Sequence, residues 1–324
     1  MAKEIGIAIG GGAAGALLYL ATFLGGPAGM MLAYLAPLPL FAAGLGFGAT
    51  AGMIAAVTAT VLVAAASAGP FGLAFAAIYA LPAAVLTRLA LRRAPDPDPE
   101  GSQEGDDEWY PAGRLLAWLV IYGCGLFAAL ALVSGEDAIA EMVGWVAEKM
   151  GEVLSSAGDP QAPEMAVETL QGIAGYFPAI LLFSWAIMLI VNATIAEALL
   201  AKAGRAIRPK PAYAAVELPS WYAGAAAGVS ALALIAPWLE LGALTFVARN
   251  AALAMLVPFF LVGLAVIHVW TRRLPARGMI LAGCYLVLLV FGWLALPVAG
   301  LGFMEQWLLL RRRFAGQAGP EEER

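Results

Sequence analysis

A few polar and ionisable side chains interrupt otherwise apolar runs of this sequence. Asn192 lies in LIVNATIAEALLAK, Arg249 and Asn250 lie in FVARNAAL, and Glu240 lies in APWLELG just before them. Such groups are costly in a bilayer, so they face protein or water and often mark functional sites. The pattern indicates a site for an anionic ligand in which Asn192, Arg249, Asn250 and Glu240 come together.

The same residues also have structural interpretations. Glu197 lies five positions before Lys202, which favours a place at the membrane edge. Glu240 and Arg249 flank one short connection, so they either pair with each other or Arg249 extends toward the headgroups. Internal packing and ligand binding both remain open for the Arg249–Asn250 pair.

The single histidine, His268, precedes Trp270 by two positions and Arg272 by four. An aromatic ring followed by cations is typical of a membrane interface. Arg249 lies about 28 Å away if one helix holds both, at ~1.5 Å per residue. We therefore expect His268 to have an edge or packing role, and the change His268→Phe to leave folding largely intact.

Motifs for catalysis or metal binding are missing from the sequence. It holds no HExxH, GxSxG, P-loop or CxxC pattern, and one histidine excludes a multi-histidine metal site. Cys124 and Cys284 both lie in apolar runs and are expected to be buried thiols. We expect no enzyme activity, no cofactor and no metal.

Composition decides the class of protein that must hold these residues. Of 324 residues, 62% are hydrophobic and 13% are charged, and the mean hydropathy is +0.84. Soluble domains are about 25% charged, and a spanning helix needs about 20 mostly apolar residues. The sequence predicts an all-α, multi-pass membrane protein of about eight or nine spans. The candidates are 5–24, 29–47, 49–68, 70–91, 113–133, 173–200, 220–239, 246–270 and 279–297.

Charge between the spans predicts their orientation, because Lys and Arg of short loops stay in the cytoplasm. One orientation places three basic clusters and the N-terminus inside, and segment 134–172 outside. The clusters are Arg88, Arg92, Arg93 and Arg114; Lys202, Arg205, Arg208 and Lys210; and Arg272, Arg273 and Arg277. Nine spans would put Arg311 to Arg313 outside. These arginines lie in the cytoplasm only if one early span does not cross the membrane or if 300–310 turns back as a short helix. We favour a cytoplasmic C-terminus.

Four regions follow from the composition. They are a glycine- and alanine-rich block of four spans (1–93), an acidic linker (94–112), a block of about five spans (113–314) and a disordered tail (315–324). The linker carries seven acids and four prolines in APDPDPEGSQEGDDEWYPAG, so it is expected to be flexible and cytoplasmic.

Segment 134–172 is predicted to contain an amphipathic helix on the periplasmic side. Apolar residues recur at helical spacing opposite an acidic face. They are Ile139, Met142, Val143, Val146, Met150, Val153 and Leu154. Helices that bind anionic lipid have basic polar faces, so this one either covers a cavity or packs over span ends.

Glycines spaced by four positions predict close helix contacts. Small residues let helix backbones approach in lipid, where the hydrophobic effect gives no drive to associate. The relevant residues are Gly11, Gly15, Gly44, Gly48, Gly52, Gly224 and Gly228. They serve either internal packing or a face for another membrane protein.

Four apolar stretches of the sequence carry a resemblance: YLAPLPLFAAGLGFG, GPFGLAFAAIYALPAAVL, PFFLVGLAVIHVW and GLGFMEQWLLLRRRF. Together they resemble the YybS-like family of bacterial multi-pass membrane proteins, a domain of unknown function. That family is similar in fold to the S components of energy-coupling-factor transporters and to the rod-shape protein MreD. The resemblance implies an inner-membrane location and, from S components, a docking face at Gly11–Gly15. The additional spans and the acidic outer segment depart from the six-span S-component pattern.

Two functions follow. The first is a transporter component or a binder of a small apolar or anionic ligand or lipid, with a mainly apolar cavity under 134–172. The alternative is a non-transporting scaffold in cell-envelope assembly that acts through its glycine faces. The expected partners are the lipid bilayer, another membrane protein and a small apolar or anionic ligand. Nucleic acid is not expected as a partner.

Overall fold

The chain is mainly helical in the residues that the computed structural model describes. Those residues are 2–67, 69–93, 109–156, 174–272, 274–311 and 313. Eight helical stretches are long and apolar enough to cross a membrane, and the bent pair Arg277–Val290 with Gly292–Leu308 would make a ninth. Among the described residues the one β-type contact is an isolated bridge between Arg93 and Trp109. The protein is therefore an all-α polytopic membrane protein, which confirms the predicted class.

Contacts divide the chain into two units. Unit 1 is Met1–Leu119 with Trp185–Leu218, and unit 2 is Val120–Ser184 with Pro219–Arg324. This division differs from the predicted blocks on either side of 94–112, because residues 185–218 pack with N-terminal helices. Residues 94–108 of the predicted linker, residues 157–172 of the outer segment and the tail 315–324 lie outside the described residues.

The helices of unit 1 follow the predicted spans with added breaks. They are α1 (Ala2–Leu20), α2 (Gly26–Tyr34), α3 (Pro37–Phe47), α4 (Ala49–Ala66), α5 (Pro70–Phe75) and α6 (Leu81–Ala90). Gly48 separates α3 from α4 with a φ of 99°, a conformation that favours glycine. A π-helical turn, Ala76–Ala80, joins α5 to α6.

Small residues build the core of unit 1. Helix α1 packs closely on α4, where Ala8, Ala55 and Ala59 are fully buried. A side chain on Gly12 would clash with the carbonyl of Ala55. Close approach of this kind is how glycine and alanine stabilise helix pairs in lipid.

The boundaries between the units fall inside two long helices. Helix α7 (Ala112–Ser156) runs through the predicted span 113–133 and into the predicted outer segment. At Gly135, which has a φ of 75°, its backbone leaves the helical conformation, so the helix is kinked there. The apolar residues of the predicted amphipathic face lie outside the described side chains. Helix α8 (Phe177–Lys202) follows a short 3₁₀ turn, Ala174–Tyr176.

The remaining helices belong to unit 2. They are α9 (Ser220–Ile235), α10 (Gly242–Ala254), α11 (Leu256–Thr271), α12 (Arg277–Val290) and α13 (Ala295–Leu308). Helices α10 and α11 together form one apolar stretch of 30 residues. The chain direction bends by 116° between the stretches that contain α12 and α13. The last predicted span is therefore sharply bent.

Aromatic rings and one pair of glycines hold unit 2 together. Phe259 lies 5.4 Å from Tyr222 and 5.3 Å from Phe303 between ring centroids. Helices α11 and α13 approach so closely that a side chain on Gly263 or Gly302 would clash with the opposing backbone. The packing of α13 on α11 therefore depends on glycine at both positions.

Candidate functional site

Arg249 lies on α10 of unit 2 and contacts neutral groups. Its Nη2 atom donates a hydrogen bond to the carbonyl oxygen of Gly175 at 2.7 Å. Its guanidinium carbon lies 4.6 Å from the ring centroid of Tyr176 and 6.0 Å from that of Phe246. Cation–π contacts of this length stabilise the charge without neutralising it.

Two polar atoms on this face of α10 have no hydrogen-bond partner among the described residues. They are Nε of Arg249 and Oγ1 of Thr245, and both are buried. Residues four apart lie on the same helix face, one turn from each other. Buried donors are nearly always paired in native proteins, so these two orphaned groups are the feature that an anionic ligand would complete.

Asn250 holds the chain in place beside Arg249. Its Nδ2 atom donates to the carbonyl oxygens of Gly175 and Phe246, at 3.0 and 2.9 Å, and its Oδ1 atom accepts from the backbone N–H of Ala179 at 3.0 Å. The side chain is completely buried. Asn250 therefore connects α10 to the start of α8 and positions Gly175 against the guanidinium of Arg249.

Gly175 fits this arrangement because it has no side chain. A Cβ atom there would lie 2.6 Å from Nη2 of Arg249. Gly175, Tyr176 and Thr245 could not be identified from the sequence, because nothing in their spacing indicates that they lie near Arg249. A tyrosine directly after a glycine, at the entrance of an apolar span, was the only available signal.

Glu240 lies in the turn before α10 rather than against Arg249. It caps the preceding 3₁₀ turn with a left-handed φ of 54° and is exposed. The predicted alternative in which Glu240 pairs with Arg249 is not what the structure shows, since the guanidinium is directed at Gly175 and Tyr176 two turns into the helix.

Asn192 belongs to unit 1 and has its own contacts there. Its Nδ2 atom donates to the carbonyl oxygens of Tyr34 and Met188, at 2.9 and 2.8 Å, and its Oδ1 atom is buried without a partner. Its convergence with the unit 2 residues stays a prediction. Within unit 1 it ties α8 to the end of α2.

Glu197 is the centre of a buried ionic cluster in unit 1. Its Oε1 atom accepts from Nε of Arg208 at 3.0 Å and also from Nη2 of that residue, while Oε2 accepts from the hydroxyl of Tyr213. Burial, together with the hydrogen bond and charge of Glu197, raises the pKa of Tyr213. The sequence predicted the edge position of Glu197 but not its partners.

His268 makes local contacts in unit 2. Its Nδ1 atom donates to the carbonyl oxygen of Leu264, one turn earlier, at 2.9 Å, and Nε2 lies 3.4 Å from the hydroxyl of Tyr285. Within the described part of the chain, no group of three or more His, Cys, Asp or Glu residues has the arrangement of a metal site.

The comparison with protein families adds one finding to this geometry. Residues 13–305 match the family described as "Predicted membrane protein (DUF2232)". The chain belongs to this family. The match includes the helices that carry Arg249, Asn250 and Glu197. No match was found among curated proteins or among solved structures. The predicted membership of a family of uncharacterised multi-pass membrane proteins is confirmed, and the similarities to S components and MreD stay predictions.

The predicted glycine faces of this DUF2232 protein have three different environments. Cβ atoms on Gly11 and Gly15 would meet Pro39 and Ala36 in tight contact, so both glycines pack inside unit 1. Cβ atoms on Gly44 and Gly52 would crowd the Thr87 side chain and Gly44 itself, so these two also pack internally.

Gly48, Gly224 and Gly228 differ from the other glycines. Gly48 occupies the break between α3 and α4 and serves a backbone turn. Gly224 and Gly228 are exposed on α9, with open space where a Cβ atom would lie. Of the predicted glycine faces, the one on α9 is therefore uncovered by the described residues.

Proposed function

We propose that this protein binds a small anionic ligand in the membrane, as the binding component of a transporter. The observation that carries the proposal is the part-buried guanidinium of Arg249, whose Nε atom has no hydrogen-bond partner in the described part of the chain. A charge withdrawn from water is stable only when it is paired and hydrogen-bonded. Its contacts are neutral ones, to Gly175 and to the Tyr176 ring.

The donors on α10 suit a carboxylate or phosphate. Nε of Arg249 and Oγ1 of Thr245 each offer a hydrogen to an acceptor, and an anion provides several acceptor lone pairs. Hydrogen bonds from a guanidinium to an anion are charge-assisted and strong. Phe127, 5.9 Å from Phe246 between ring centroids, adds apolar surface beside this site. We infer a ligand with an anionic group and an apolar part.

The proposed ligand site lies on the periplasmic side of an inner membrane. This orientation puts three regions in the cytoplasm: the N-terminus, the Lys202–Lys210 region and the Arg272 region. It agrees with the rule that Lys and Arg of short loops stay in the cytoplasm. Arg249 then follows an outer connection at Glu240, and Gly175 follows the outer segment 134–172. The bend of 116° in the last apolar pair would return Arg311 to the cytoplasm as a re-entrant segment.

Binding without chemical conversion is part of the proposal. General acid–base catalysis needs groups held within hydrogen-bond reach of the reacting atoms. Around Arg249 the contacts are the carbonyl oxygen of Gly175 and the rings of Tyr176 and Phe246. The arrangement is suited to recognising charge rather than to breaking bonds.

Native mass spectrometry of the gently extracted protein tests this function. Wild-type protein from its own membrane is compared with Arg249→Gln and with the control Arg272→Gln, which removes an exposed charge elsewhere in unit 2. We expect a bound anionic molecule at fixed stoichiometry in wild type and control, and its loss in Arg249→Gln. Equal retention by Arg249→Gln and wild type would refute the proposal.

A scaffold function remains the second candidate, and one observation favours it. Gly224 and Gly228 face open space on α9, and α12 has no buried residue. A partner membrane protein would cover such faces through close backbone contact. Purification that yields a stoichiometric membrane partner and no small ligand, with the partner lost in Gly224→Ile/Gly228→Ile, would favour the scaffold.

A further inference from the structure

Exposed cations of unit 1 lie where several of its helices begin or end. We call them the basic face; they are Arg88, Arg92, Arg93, Arg114, Lys202, Arg205 and Lys210. Three acids of unit 1 are described, Glu4, Glu197 and Glu217, and Glu197 is already bound to Arg208. The basic face therefore carries a clear excess of positive charge over the described acids of its unit.

Specific contacts bring the parts of the basic face together. Nη1 of Arg208 donates to the carbonyl oxygen of Ala90, at the end of α6, at 3.3 Å. The guanidinium of Arg205 lies 5.6 Å from the ring centroid of Phe47, at the end of α3. Gly113, at the start of α7, lies directly on the backbone of Glu217. The connection 203–217 thus covers the ends of two helices and the start of a third.

The ion pair beneath the basic face fixes this connection. Arg208 and Glu197 have side chains that are only 9% and 10% exposed, and Tyr213 donates to the same carboxylate. Because Arg208 neutralises Glu197, the outward charges of Arg205 and Lys210 are not compensated by it. The connection is therefore held in one conformation, which lowers the entropy lost when a ligand binds.

Aromatic rings accompany the cations of the basic face. The Arg93 guanidinium lies 5.6 Å from the Trp109 ring, and the Lys210 ammonium lies 5.8 Å from the Tyr213 ring. Tyr110 accepts a hydrogen bond from Nε1 of Trp118 at 2.9 Å. Tryptophan and tyrosine with adjacent cations are typical of the headgroup level of a bilayer.

We propose that the basic face binds the phosphates of anionic phospholipids in the adjoining leaflet. Clusters of Lys and Arg next to a span attract anionic headgroups. A shallow, open depression lies here, and Leu45, Leu200 and Ile207 give it an apolar wall beside Arg208 and Lys210. Cations beside an apolar wall match a headgroup attached to acyl chains. This inference does not rest on the ligand site at Arg249.

Lipid titration of the whole chain, monitored by native mass spectrometry in neutral detergent, tests the proposal. The acidic linker 94–112 stays in the protein, so its seven carboxylates are present throughout. The ligands are phosphatidylglycerol, phosphatidylcholine and inorganic phosphate. The variant is Arg205→Gln/Lys210→Gln, and the control Arg272→Gln/Arg277→Gln removes two exposed charges from unit 2. Circular dichroism checks that both are folded.

We expect wild type to bind phosphatidylglycerol at least about tenfold more tightly than phosphatidylcholine, and the Arg205→Gln/Lys210→Gln variant to lose about tenfold, given the strength of charge attraction at a membrane surface. The control should lose less affinity than the variant, because Arg272 and Arg277 do not line the apolar wall of Leu45, Leu200 and Ile207. Unchanged binding in the variant, or an equal loss in the control, would overturn the proposal. Displacement of the lipid by millimolar inorganic phosphate would reassign the site to a free anion and would also overturn it.

Discussion

Arg208 and Arg249 are both largely withdrawn from solvent, but their surroundings differ. Arg208 contacts the carboxylate of Glu197, whereas Arg249 contacts a carbonyl oxygen and aromatic rings. Burial removes hydration from both charges, and among the described residues an opposite charge compensates that loss for Arg208 but not for Arg249. At the scale of single residues, this difference is why we assign structure to Arg208 and ligand binding to Arg249.

A double-mutant cycle tests the structural assignment of Arg208. Arg208→Ala should destabilise the protein by about 3 kcal/mol, because it leaves the Glu197 carboxylate buried without its cation. Adding Glu197→Ala should recover part of that loss, since no buried charge then remains. Thermal and denaturant unfolding in detergent measure both changes. Additive losses in the double variant would show that the two side chains do not interact.

Asn250 should contribute more to stability than Asn192. Both side chains are fully buried, but Asn250 uses its carbonyl and both amide hydrogens, whereas Oδ1 of Asn192 has no partner. Replacing Asn250 by Leu deprives the backbone N–H of Ala179 of its acceptor and removes one of the two donors to the Gly175 carbonyl oxygen, at about 2 kcal/mol. We expect a larger fall in melting temperature for Asn250→Leu than for Asn192→Leu; the reverse order would contradict the hydrogen-bond assignment.

At the scale of helices, glycines that are alike in sequence have unlike functions. Gly302 contacts the backbone of α11 so closely that a methyl group does not fit, whereas Gly224 faces open space. The pattern GxxxG selected Gly224 and Gly228 and passed over Gly263 and Gly302. Spacing indicates that a face exists, but which face is covered depends on contacts between residues distant in the sequence.

Alanine substitutions separate these two kinds of glycine. Gly302→Ala should destabilise the protein by about 2 kcal/mol or more, because α13 must move away from α11. Gly224→Ala, the matched control, should be neutral or slightly stabilising, since alanine is the better helix former. Unfolding in detergent measures both variants. Equal effects would mean that the close approach of α11 and α13 is absent.

At the scale of the whole molecule, the class of fold could be predicted from composition and from the length of the apolar runs. The spans beginning near residues 49, 70, 177 and 220 agree with the observed helices within a few residues. The division into units could not be predicted, because it depends on contacts between residues distant in the sequence. One example is the hydrogen bond from Nε1 of Trp185 to the carbonyl oxygen of Ile78, 107 positions away. For the same reason the sequence indicated Arg249 and Asn250 but not Gly175 and Tyr176.

The bend in the last apolar pair leads to an expected topology. If residues 277–308 form a re-entrant segment, the C-terminus lies on the same side as the connection 203–217. Reporter fusions that are active on one side of the membrane, placed after residue 324 and at the turn near residue 240, measure this. We expect a cytoplasmic signal from the first and a periplasmic signal from the second. A periplasmic C-terminus would mean that the pair crosses the membrane.

A cryo-electron-microscopy map of protein extracted from its own membrane tests whether an anion occupies the space beside Arg249. We expect density for an anionic group within hydrogen-bond distance, about 3 Å, of Nε of Arg249 and of the Thr245 hydroxyl. The same density should be missing from a map of Arg249→Gln. A map in which Nε of Arg249 is paired with a carboxylate of this chain, with no ligand density, would contradict the account.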